Sequence, residues 1–219
     1  MPNAARVVLR VAAVLLSLVA VGSGLAFLLG LAPPGGGNAP PSPEWHATHV
    51  AELQALPALS NPHVALGMAW VLLVPLQLSA RLRNRHRWLH RAVGRIAMAG
   101  GVVMAVSGLW LGLVVPFAGR MESAIIALIS ITFLYALVRA FLAARAREIA
   151  LHRRWVFRAV AIALSIATTR LFDAPLYFSH ALSDQDAFCL AFLLGWTINV
   201  LVVEAVLRAT AAQPTPASS

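Results

Sequence analysis

RLRNRHRWLHRAVGR, residues 81–95, decides how this chain is read. It carries six arginines together with His86 and His90, and long uncharged runs lie on both sides of it. A basic segment between two apolar runs has the character of a cytoplasmic loop. Positive loops resist translocation and so fix the orientation of the spans beside them.

Composition agrees with that reading. Of 219 residues, 60% are hydrophobic and 11% charged, and mean hydropathy is +0.79. A soluble domain carries about a quarter charged residues. So much apolar surface requires lipid as the solvent for a large part of the chain. The net charge of +9 does not mark a nucleic-acid binder, because the arginines cluster between membrane-length runs. The single cysteine, Cys189, excludes an internal disulfide and any multi-cysteine metal site.

Outward from the basic stretch the spans follow in turn. Arg6 and Arg10 precede an uncharged run over 11–32, which reads as an uncleaved first span. A signal peptide is the competing reading, with a shorter apolar core of roughly 7–15 residues. PPGGGNAPPSP at 33–43 is an external linker, and Ser42-Pro43 opens a short surface helix over 44–56. Asn61-Pro62 is expected to start span two, about 63–80, with Pro75 inside it. Spans three to six are expected near 92–117, 123–143, 155–172 and 187–207. Pro175 is expected to stop span five, and Ser183 with Asp186 makes a capping-box-like start for span six.

The expected fold is therefore an all-α integral membrane bundle of six spans with both termini cytoplasmic. Its organisation is an N-terminal span (1–32), an external linker (33–62), a five-helix module (63–208) and a disordered tail (209–219). Fifteen of the seventeen arginines then fall on the cytoplasmic side, leaving only Arg120 and Arg170 outside. The reverse orientation violates the positive-inside rule at every loop.

Few polar residues remain to carry chemistry. Spans three and five each begin with a His-Arg pair, His90-Arg91 and His152-Arg153, at similar expected depth. Two such histidines can ligate a haem b from opposite faces, with Glu148 one turn before His152 to hold its other ring nitrogen. His86 and His90, four apart, can share a metal on one helix face. The alternative is that these histidines bind lipid phosphates among the arginines. On the outer side His46, His49, His63 and His180 form either an external metal or haem site or four unrelated histidines. Arg170 is the costliest residue for a membrane, and Asp173 is its nearest partner. That pair is either a site for an anionic headgroup, quinone or carboxylate, or structural. Asn199 and Glu204 read as polar glue between helices. The Gly108 and Gly112 pair, above Ala97, Gly101 and Ala105, reads as a stripe for close helix approach.

Taken together, His63, Pro75 and Gln77, His90-Arg91-x-x-Gly94-Arg95, His152-Arg153-Arg154-Trp155-x-x-Arg158, Arg170, and Trp196 with Asn199 and Glu204 resemble the predicted bacterial membrane proteins called domain of unknown function 2306. The resemblance covers about 63–204. One departure is Ala97-Met98, where the family often places an aromatic after Gly-Arg-Ile. No established activity comes with it. It implies a multi-pass protein of the bacterial inner membrane whose polar positions belong to one module. Two function classes follow: a binding or redox module holding haem, quinone or lipid, and a small carrier using Arg170 and Asp173. A carrier usually shows paired broken helices in two halves, so the binding class leads.

Overall fold

A computed structural model of the chain describes residues 3–29 and 52–211. The expected linker, His46, His49, most of the surface helix and nearly all of the tail lie outside the described residues. Within them the chain is helical, with no strand. The helices are α1 (Asn3–Leu28), α2 (Pro57–Leu78), α3 (Ala80–Arg85), α4 (Arg87–Val114), α5 (Gly119–Arg145), α6 (Ile149–Ala163), α7 (Ser165–Phe178) and α8 (Asp184–Ala211). With α6 and α7 taken as one run, six stretches are long and apolar enough to cross a membrane. The α4 helix has 28 residues, about 42 Å at 1.5 Å per residue. That matches a bilayer with its headgroup zones.

The side chains sort as lipid-solvated helices require. On α5, Leu128, Ile131, Tyr135, Val138 and Leu142 recur every three or four residues and are all exposed. The opposite face buries Phe133, Ala136, Leu137 and Ala140. Trp70 of α2 closes the core, donating its indole N–H to the Ala97 carbonyl at 2.9 Å and meeting Phe133 edge-on.

Helix boundaries differ from the sequence expectation in three places. Span two starts at Pro57, because the Leu56 carbonyl takes the Leu59 and Ser60 amides, and Pro57 suits a first helical position. Asn61-Pro62 falls inside that helix instead of opening it. The basic stretch is not a loop. Ser79 caps α3, the chain turns at His86, and α4 begins at Arg87, since arginine is a good helix former. Pro175 does not stop span five, which runs on to Phe178; the interruption lies earlier, at Leu164. At span six the expected cap is present. Ser183 Oγ accepts the Asp186 amide at 3.1 Å and donates to its carboxylate at 2.7 Å.

Two ends result. The arginine-rich end holds α3, the start of α4 and the α5–α6 turn. The arginine-poor end holds the α4–α5 and α7–α8 turns and the start of α2.

Candidate functional site

A cavity of about 400 Å³ opens within the arginine-poor half of the bundle, reaching down to mid-depth. Ligand pockets usually measure about 300–1,000 Å³. Its walls come from α1, α2, α4, α5, α7 and α8, with the last turn of α6. Most of the lining is apolar, including Met68, Val71, Met104, Phe133 and Phe192. The polar groups on it are few: Ser23, Ser60, His63, Glu122, Ser130, Ser165 and Arg170.

The His63 ring is held against α4. Its Nδ1 lies 2.9 Å from Ser107 Oγ. The Ser107 hydroxyl has its own acceptors in the Val103 and Met104 carbonyls, at 2.8 and 3.1 Å. Directing its proton there leaves His63 Nδ1–H as the donor and Nε2 as an acceptor for the cavity. Gly108 makes room for the ring, since a Cβ there would sit 2.8 Å from His63 Cε1. Gly112 instead accommodates Ile126 of α5. The small-residue stripe of α4 therefore admits side chains from two neighbouring helices, not one helix backbone.

Glu122 is 5% exposed in the first turn of α5. Its Oε2 accepts the Ala118 amide at 2.7 Å, so the carboxylate closes the start of its own helix. Across the same turn Ser123 Oγ donates to the Gly112 carbonyl at 2.7 Å, and Gly119 takes a φ of +65°. Arg170 Nη1 donates to Asp173 Oδ2 at 2.9 Å, joining the expected pair. The pairing is incomplete: Arg170 Nε and Asp173 Oδ1 are buried with no hydrogen-bond partner.

The arginine-rich end is arranged differently. Arg158 grips Glu204 with Nε and Nη2, at 2.5 and 3.0 Å, and stacks on Trp155 at 4.5 Å. Arg139 lies over the same ring at 5.1 Å. His90 in the first turn of α4 and His152 in the first turn of α6 both lie at this end. His152 Nδ1 lies 2.8 Å from the Ala140 carbonyl, which therefore orients its ring. Glu148 does not do this. Arg147, at φ +62°, turns the chain just before it, and Glu148 is left exposed as the N-cap of α6. His90 Nδ1 and Gln77 Nε2 are buried without partners.

Of the remaining histidines, His86 forms the α3–α4 corner and does not share a continuous helix face with His90. His180 is exposed at φ +51°. Among the described residues no three His, Cys, Asp or Glu side chains are placed to hold a metal ion. The sequence reading named His63 and Arg170 but missed Glu122 and Ser107. Their signal was available only as a carboxylate one turn past a Pro-containing loop and a hydroxyl one position from Gly108.

A family model described as predicted membrane protein (DUF2306) matches residues 61–207. No curated protein and no solved structure matches the chain. The matched region contains the cavity walls from His63 of α2 to Phe192 of α8, and leaves out Leu53, Ser60 and α1, which supplies Ser23, Gly24 and Phe27.

Proposed function

This chain belongs to the DUF2306 family of predicted membrane proteins, and on that premise we propose that it is a binding module for a lipophilic ligand with a hydrogen-bonding headgroup, either a quinone or a lipid. The protein would sit in the bacterial inner membrane with its arginine-rich end in the cytoplasm, in accord with the positive-inside rule. The cavity carries this reading. It is apolar over most of its wall, as a ring or acyl chain requires, and its polar groups suit a headgroup. His63 Nε2 and Arg170 would contact the headgroup oxygens. Asp173 holds the guanidinium in place, and Glu122 offers an acceptor.

The test is purification in mild detergent, solvent extraction and mass spectrometry of the extract. A quinone or a phospholipid at near one per protein is expected, and the mass identifies which. His63→Leu and Gly67→Leu should each lower the bound amount at least fivefold while the protein stays folded. Equal occupancy in both variants removes the cavity from consideration.

A second reading has its own observation. The Nδ1 of His152 faces a backbone carbonyl, the outer-shell bond that metal-ligating histidines commonly make, and this leaves Nε2 for a ligand. His90 opens α4 at the same end of the bundle. These residues fit one end of a bis-histidine haem b site, with arginines nearby for the propionates. Bound there, a haem would supply one-electron redox chemistry. A reduced-minus-oxidised absorbance spectrum after expression with haem precursor decides it. A signal lost in both His90→Ala and His152→Ala supports haem; a colourless folded protein refutes it. The carrier reading is less well supported, since the described residues hold one broken span, not a matched pair.

A further inference from the structure

Span five is made of two helices, and their joint is filled from another span. The Ala161 carbonyl, which a continuous helix would give to the Ser165 amide, takes Asn199 Nδ2–H of α8 at 3.0 Å. The Ile162 carbonyl takes Ser165 Oγ–H at 2.6 Å. A new helix then begins, with the Ala167 and Thr168 amides both on the Leu164 carbonyl. Thr168 Oγ1 completes the link by donating to Asn199 Oδ1 at 3.0 Å. Broken backbone is tolerated at membrane depth only where protein satisfies it, and here Asn199 and the Ser165 hydroxyl do so.

The halves also have different neighbours. The α6 helix packs chiefly on α5 and secondarily on α8, whereas α7 packs chiefly on α8. Where α7 meets α8, Gly195 brings the backbones together: a Cβ there would lie 2.8 Å from both Ser165 O and Thr169 N.

We propose that Leu164 is a hinge and that Asn199 is a positioning residue which pins it, so that α7 pivots about the end of α6 and sets the placement of Arg170 on the cavity wall. The significance for a ligand rests on the cavity reading above; the hinge itself does not. A rotation at mid-depth changes the cavity, while the Arg158–Glu204 clasp holds α6 to α8 at the other end.

Distances between spin labels in lipid nanodiscs test it, in a Cys189→Ala background. One pair, at Leu171 and Val114, spans the arginine-poor half. A second pair, at Phe157 and Leu142, spans the other half. All four positions are exposed. In the otherwise unmodified protein the first pair should give the broader distance distribution. Asn199→Asp keeps the shape and the acceptor for Thr168 but loses the N–H donor. It should broaden the first pair about twofold and leave the second unchanged. Thr168→Val, which keeps the Asn199–Ala161 bond, should broaden the first pair less than Asn199→Asp does. Equal widths for the two pairs before any substitution overturn the hinge, and this measurement requires no variant beyond the labels to fold. Equal broadening of both pairs in Asn199→Asp overturns the pinning role. No ligand is added in any arm, so an empty cavity and a rigid joint are separately visible.

Discussion

Replacing Gly195 by alanine tests the tight crossing of α7 and α8. The added Cβ would lie 2.5 Å from Thr169 Oγ1 and 2.8 Å from both Ser165 O and Thr169 N. Two of those atoms are backbone and cannot rotate aside. The third is fixed as well, since Thr169 is 1% exposed and its hydroxyl donates to Ser165 O at 2.9 Å. The two helices must therefore separate by more than half an ångström. Overpacking of this kind costs about 1–3 kcal/mol, and a backbone obstruction belongs at the upper end. Alanine returns about 1 kcal/mol of helix propensity. The expected net loss is about 2 kcal/mol, a difference well within reach of unfolding titrations in mixed micelles followed by tryptophan fluorescence. Gly67→Ala is the internal control. Its Cβ would meet only Met104 Sδ, at 3.5 Å, so the propensity gain of up to about 1 kcal/mol should appear undiminished. Equal stability of Gly195→Ala and Gly67→Ala would refute the close crossing of α7 and α8.

Three further outcomes are expected. Arg170→Ala should lower the folded yield in membranes more than Arg120→Ala, because it strands Asp173, and Asp173→Asn should behave like Arg170→Ala; the check is the monodisperse fraction after extraction. Glu204→Gln should destabilise by about 2 kcal/mol, less than the 3–5 kcal/mol of a fully buried pair since both side chains keep some exposure, and the exchange Arg158→Glu with Glu204→Arg should recover part of it in a double-mutant cycle. Single cysteines at Gly119 and Gln185 should react with an impermeant thiol reagent in intact cells while those at Asn84 and Ala146 should not; labelling at Asn84 would reverse the proposed orientation.

The spans were legible because lipid demands about 20 uncharged residues in a row, and a count of charges finds such runs directly. Their ends were not. Residues 81–95 look like a loop to a reading that equates charge with irregular backbone, yet arginine has high helix propensity, and only His86 breaks the run. The joint at Leu164 was invisible for a different reason. Its main stabiliser, Asn199, lies in another span, so local sequence carries only the Ser165, Thr168 and Thr169 cluster as a hint. Arg170 and Asp173 were paired correctly because three residues along a helix bring side chains together. Glu148 was assigned to His152 by the same kind of spacing. It failed because the chain turns at Arg147 and a carbonyl of α5 is nearer.

Polar side chains in a membrane bundle either close on one another or surround space, and the two ends of this protein divide along that line. At the arginine-rich end Arg158 and Glu204 use both faces of their charges on each other, Trp155 is stacked by two guanidinium groups, and His152 is turned onto a backbone carbonyl. Groups satisfied in that way hold helices together. In the other half His63 commits one ring nitrogen to Ser107, and Arg170 commits one nitrogen to Asp173, while both side chains line a cavity of ligand size. A half-committed polar group facing an apolar void is costly unless something occupies the void. His90, Gln77 and Trp155 depart from this pattern, with unpartnered nitrogens at the arginine-rich end. That departure keeps the haem spectrum worth measuring. At the cavity between His63, Glu122 and Arg170, the half-committed groups face a space of ligand size, and a bound headgroup would complete their hydrogen bonds.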